Sequence, residues 1–188
     1  MDAWVWIVIA VVAIILIAIA AYEIAMLRRR RELQRTFGPE YDRAVAERGG
    51  VKGAESDLLA RRDRRGKLDI RQLRPESRDA FRRNWEQLQA RFVDDPAGVL
   101  GQADGLIIAV MTERGYPMDD FGQRSDDISV DHPDVVEHYR EAHAISGPLT
   151  RGQQVSTEDL RQGLVHYRYL FQELLETAPS QQDRRAAG

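Results

Sequence analysis

The sequence predicts an all-α protein: a single N-terminal transmembrane helix, a basic helical stalk and a small antiparallel helical bundle. Three observations carry that expectation. Residues 3–22, AWVWIVIAVVAIILIAIAAY, run for 20 residues without a charged side chain. Arg28, Arg29, Arg30 and Arg31 follow almost at once. Beyond residue 69 apolar side chains recur at helical spacing in four separate stretches, and period-two strand alternation occurs nowhere.

At about 1.5 Å of rise per residue the apolar run spans roughly 30 Å, the hydrocarbon thickness of a bilayer. Its Ile and Val would favour strand in water. In lipid every backbone N–H and C=O must be paired within the segment, so an isolated run is a helix. Trp4 and Trp6 at one end and Tyr22 at the other suit the two water interfaces. The competing reading is a secretory signal, for which Ala18-Ile19-Ala20 resembles a small-residue cleavage site. A signal peptide has a basic start and an apolar core of about 7–15 residues. Here Asp2 precedes the run and no Lys or Arg does, which favours an uncleaved anchor over residues 1–27. Arginines stay on the cytosolic side, so residues 28–31 place the N-terminus outside and the C-terminal part in the cytosol. The chain has no cysteine, in keeping with a reducing compartment. Its 25 Arg against 2 Lys suggest a GC-rich bacterial genome, a codon argument and not a physical one.

The formal net charge of −3 conceals segregation. Residues 28–91 carry 19 basic and 11 acidic side chains; residues 92–188 carry 8 and 17. Residues 28–68 are expected to form a basic juxtamembrane stalk without a core of its own. The helix from the membrane continues through Arg35, Gly38-Pro39 interrupts it, and short helices follow over residues 40–48 and 54–67. Arg61, Arg62, Arg64 and Arg65 are candidate contacts for anionic lipid headgroups, each such contact contributing about 1 kcal/mol. The alternative is a solvated helix face on which they pair with Glu55, Asp57 and Asp63. Nucleic acid is an unfavoured partner, because no zinc-finger spacing or aromatic RNP-like run accompanies the basic tract.

Residues 69–177 are expected to form a cytosolic helical domain. A short extended linker leads into Pro75, and Phe81, Trp85, Leu88 and Phe92 make the first apolar stripe. Asp95-Pro96 opens the second helix as N-cap and first turn; its stripe is Val99, Ala103, Leu106, Ile107, Val110 and Met111, and Gly115 closes it. Residues 117–131 read as an acidic irregular segment. A third helix starts near His132-Pro133, with Val135, Val136, Tyr139, Ala142 and His143 inward, and a loop at Gly147-Pro148 ends it. Ser156 and Asp159 resemble a capping box for the last helix, striped with Leu160, Leu164, Tyr167, Phe171 and Leu174. Residues 178–188 read as a disordered tail.

Little in the chain names a reaction. Asp127, Ser129 and Asp131 match the first, third and fifth positions of a calcium loop, but His132 and His138 stand where Gly and Glu are needed. Asp134, His138 and Glu141 fall at i, i+4 and i+7, one helix face with metal-ligating chemistry; the bland reading is a solvated polar face. His143 reads as a satisfied core histidine, and His166 has no evident partner in sequence. Gly98, Gly101 and Gly105 lack the Gly-Lys-Ser/Thr ending of a phosphate loop. No nucleophile elbow is present, and no cysteine nucleophile exists. No cofactor is implied.

Several segments resemble an uncharacterised family of small bacterial proteins: Lys67-Leu68-Asp69-Ile70-Arg71, Trp85 with Arg91-Phe92-Val93-Asp94, Met111-Thr112-Glu113-Arg114-Gly115-Tyr116-Pro117, Ser129-Val130-Asp131-His132-Pro133, Tyr139-Arg140 with Ala142-His143, and Thr157-Glu158-Asp159-Leu160-Arg161. The resemblance covers most of the chain after residue 37. It implies one N-terminal membrane helix joined to a helical domain, and supplies no catalytic residues. The expectation from the whole sequence is a single-pass protein of the bacterial cell membrane, non-enzymatic, binding or scaffolding a protein partner at the inner face. The alternatives are a metal-dependent enzyme or sensor built on Asp134, His138 and Glu141, and a soluble protein exported after signal cleavage.

Overall fold

The computed structural model describes residues 3–176. Among them it holds eight helices and no strand: α1 (Ala3–Phe37), α2 (Pro39–Glu47), α3 (Val51–Arg65), α4 (Pro75–Arg91), α5 (Pro96–Arg114), α6 (Phe121–Asp131), α7 (Val136–Thr150) and α8 (Thr157–Glu176). The expected tail, residues 178–188, lies outside the described residues. The chain forms two compact units that divide within α3, between Glu55 and Ser56. That differs from the stalk–domain boundary at 68–69 expected from composition.

In the first unit, α1 is the one helix among the described residues long and apolar enough to cross a membrane, and none of its most apolar stretch is buried. Gly38 breaks it at φ 47°, a conformation that suits glycine, and Pro39 starts α2 with its fixed φ. Leu33, Phe37, Tyr41, Ala44 and Ala54 are buried. The expectation that residues 28–68 lack core positions is therefore corrected. Leu33, Phe37, Tyr41 and Ala44 fall at +4, +4 and +3, a thin helical stripe among many charges that Gly38-Pro39 interrupts. Tyr41 Oη donates to Glu55 Oε1 at 3.2 Å.

The second unit has a core of its own. Val99, Leu100, Ala103, Ile107, Val110 and Met111 of α5 are fully buried, and α5 meets α4, α7 and α8. Close approach is possible because α8 carries Gly163. A Cβ there would lie 3.0 Å from a methyl of Leu100 and 3.2 Å from one of Ile145. Trp85 of α4 stacks on Phe171 of α8, ring centres 4.6 Å apart. The expected caps form: Asp95 Oδ1 accepts from the Gly98 N–H at 2.9 Å, and Ser156 Oγ accepts from the Asp159 N–H at 3.1 Å. Gly115 ends α5 in the left-handed region at φ 94°. Any Cβ there would meet the Asp69 carbonyl at 2.4 Å, because the linker crosses at this point and the Arg71 N–H donates to the Arg114 carbonyl. Arg114, itself buried, donates to the Leu174 carbonyl of α8 at 2.7 Å and so ties the end of α5 to α8.

Two segments depart from expectation. Residues 121–131 are helical, not irregular: Asp120 caps α6 by accepting from the Gln123 N–H at 2.9 Å. The Asp127–Asp131 stretch is thus wound into helix and cannot adopt a calcium loop. The helix expected from His132-Pro133 onward is α7, which starts at Val136 after a turn at residues 133–135 and runs on through Gly147 and Pro148 to Thr150. Pro148 sits in the last turn, so the one backbone bond it removes, to the Ala144 carbonyl, lies near the end of the helix.

Candidate functional site

The residues expected at the membrane lie on α1. Trp4, Trp6 and Tyr22 are exposed, as are Arg28, Arg29, Arg30 and Arg31. The second basic cluster behaves otherwise. Arg61 is 2 % exposed and Arg65 is 4 % exposed. Arg61 lies 2.7 Å from Asp57 and 2.8 Å from Asp126. Arg65 pairs with Asp131, which also accepts from the Tyr116 hydroxyl at 2.7 Å. Arg64, half-exposed, stands 3.8 Å from both Asp126 and Asp127. Burial removes Arg61 and Arg65 from any headgroup, which corrects their candidacy as lipid contacts. Arg62 and Arg64 are half-buried. Asp57 sits on α3 itself, one of the pairings expected from sequence, but Asp126, Asp127 and Asp131 come from α6, a helix the sequence does not announce, and neither is the seam between α3 and α6 legible there. Burial raises the carboxyls of Asp126 and Asp127 above the usual range, against the pull of Arg61 on the first and a hydrogen bond from Gln123 on the second.

The polar cluster with ligand chemistry lies where α7 and α8 pack side by side. His138 and Glu141 come from one turn of α7, and His166 comes from α8. The two imidazole Nδ1 atoms are 2.9 Å apart. Glu141 Oε2 is 2.9 Å from His166 Nδ1 and 3.7 Å from His138 Nδ1. Side-chain exposure is 33 % for His138, 47 % for Glu141 and 21 % for His166, so the cluster is reachable from solvent yet held in place. The His138 ring is stacked at 4.7 Å on Tyr169, which fixes its plane. Asp134 does not join the group. It is exposed in the turn before Val136, so the i, i+4 spacing to His138 does not correspond to a shared helix face. His166 supplies the third donor instead, and its partner lies 28 residues away in sequence.

The remaining histidines are structural in setting. His143 stacks on Phe121 with ring centres 3.6 Å apart, and burial lowers its pKa. The residue is half-buried and its Nδ1, shielded from solvent, has no hydrogen-bond partner, so it is not the satisfied core histidine that the sequence leads one to expect. His132 Nδ1 lies 3.1 Å from Glu173. Tyr167 donates to Asp104 at 2.8 Å and lies 3.1 Å from Ser146 Oγ, joining three helices through one buried hydroxyl. Between α4 and α5 an open depression of about 370 Å³ is lined by Asn84, Gln87, Arg91 and Gln102 on its polar side and by Leu88, Leu106 and Ala109 on its apolar side.

No family model, curated protein or solved structure matches the chain. The comparisons therefore leave the family resemblance where the sequence motifs put it.

Proposed function

We propose that this chain is a single-pass protein of the bacterial cell membrane that holds a helical head at the cytosolic face and acts by binding, as a tether or scaffold for a protein partner. One observation carries the reading: α1 leaves its apolar side chains exposed along its whole most apolar stretch and ends that stretch at four exposed arginines. A contiguous apolar surface above a few hundred Å² is rare on a soluble monomer and marks a membrane or interaction surface. Arginines beside a span stay on the cytosolic side and attract anionic lipid, at about 1 kcal/mol each near the surface.

Topology is the test. A reporter that is active only in the cytosol, fused after Gly188, is expected to be active and to stay with membranes through alkaline extraction. Activity of an export-only reporter at the same position would refute the orientation. A mature chain that begins after residue 20 would refute the anchor and favour the exported protein.

A further inference from the structure

We propose that His138, Glu141 and His166 form a binding site for one first-row transition-metal dication of the zinc class, clipping α7 to α8. The inference concerns the head alone and holds whether or not α1 spans a membrane.

The geometry points there. The three donor atoms form a triangle with edges of 2.9, 2.9 and 3.7 Å. Its circumradius is about 1.9 Å, just under the roughly 2.0–2.2 Å of zinc–nitrogen and zinc–oxygen bonds. A single ion about 0.9 Å off the plane would therefore reach all three donors at about 2.1 Å. Ligand edges of about 3.0–3.4 Å are what octahedral and tetrahedral sites require at that bond length, and the observed edges bracket them.

The chemistry agrees. Two imidazoles and one carboxylate suit zinc, cobalt, nickel or copper, and a single carboxylate is too few oxygen donors for calcium or magnesium. The two ring nitrogens, 2.9 Å apart, and the carboxylate oxygen bring three potential donor atoms around one point. The stack of His138 on Tyr169 and the anchoring of the three side chains on two packed helices supply orientation before the ion arrives. The exposed side of the cluster leaves room for water in the remaining coordination positions, so the site is open rather than closed.

The test uses the full chain in detergent, stripped with chelator and titrated with zinc alone. The expected result is one ion per chain and a raised melting temperature, weakening as pH falls because the ligands must be deprotonated. His166→Gln and His138→Gln should each weaken binding at least about tenfold, as loss of a primary ligand must exceed the effect of an outer-shell change. Asp134→Asn should bind as the parent does, which separates this ligand set from the one read along α7. Circular dichroism checks that each variant stays helical. Should a variant unfold, cobalt(II) on the parent protein decides: paramagnetically shifted ring protons on two histidines, His138 and His166, support the site. Shifts on no histidine, or on His132 and His143, overturn it. Binding that survives His166→Gln unchanged, or that is lost in Asp134→Asn, overturns it as well.

Discussion

Replacing Trp85 by alanine tests the core of the head most directly. The side chain is 5 % exposed and its ring lies on Phe171 at 4.6 Å with an interplanar angle of 18°. Truncating a buried tryptophan to alanine costs about 3–5 kcal/mol, because apolar area is lost and the cavity left behind collapses only in part. A folded domain has only about 5–15 kcal/mol in total, so the variant should sit close to unfolding. The melting temperature should fall by roughly 6–20 °C. The assay is urea denaturation of the full chain in micelles, followed by far-ultraviolet circular dichroism. The detergent-held α1 contributes a constant baseline. A double-mutant cycle with Phe171→Leu isolates the stack, for which a coupling of about 0.5–1.5 kcal/mol is expected. A Trp85→Ala midpoint equal to that of the parent would show that α4 does not pack on α8 as described. The exposed α4 face would then become the first candidate for partner binding.

Two further outcomes follow from burial and pairing. His143 is held below its ordinary pKa of 6.5 by burial, with Asp104 acting in the opposite direction and Arg124 reinforcing it. The folded state therefore binds fewer protons than the unfolded one just below that value, so His143's contribution is complete above about pH 6.5 and is lost as pH falls. His143→Gln should flatten the decline of the urea midpoint between roughly pH 6.5 and 5; an unchanged slope would refute the assignment. A fragment starting at residue 51 keeps Arg61 and Arg65 with Asp126 and Asp131, whereas one starting at residue 69 leaves those aspartates without them. The shorter fragment should be less stable by several kcal/mol, given about 3–5 for each broken buried pair. Equal urea midpoints for the two would show that the seam is dispensable.

What the sequence could reveal followed from how each helix buries itself. α4, α5 and α8 turn apolar stripes toward one core, so Trp85, Ile107 and Phe171 were placed correctly by spacing alone. α6 was not legible that way, because its buried face is Ser125, Asp127, Ile128 and Ser129, with one apolar residue among four. The one local signal was Asp120 followed three residues later by Gln123, a capping-box spacing. At the candidate site, His138 and Glu141 were found because they share a helix turn. The i, i+4 spacing brings in Asp134 as well, and the turn at residues 133–135, which delays the helix, takes it out. His166 was passed over because nothing local identifies a donor supplied by a distant helix.

The charge asymmetry shows why a composition argument needs geometry before it becomes a functional one. A basic tract of residues 28–91 followed by an acidic half reads as a membrane-facing surface and a repelled head. Part of that asymmetry is spent inside the second unit, where α3 arginines meet α6 aspartates. Such a seam adds little net stability, since desolvation offsets much of the attraction, and burial indeed raises Asp126 and Asp127 despite their cationic neighbours. Its effect is on register: an arginine placed one turn away would leave a buried carboxylate without its partner. Arg61 and Arg65 then have no part in lipid binding, and the orientation proposed for the chain rests on Arg28, Arg29, Arg30 and Arg31. At about 1 kcal/mol each those four suffice to bias the tract next to α1 toward an anionic leaflet. Replacing them should therefore disturb topology, whereas replacing Arg61 or Arg65 should disturb folding, a division that composition alone would not have drawn.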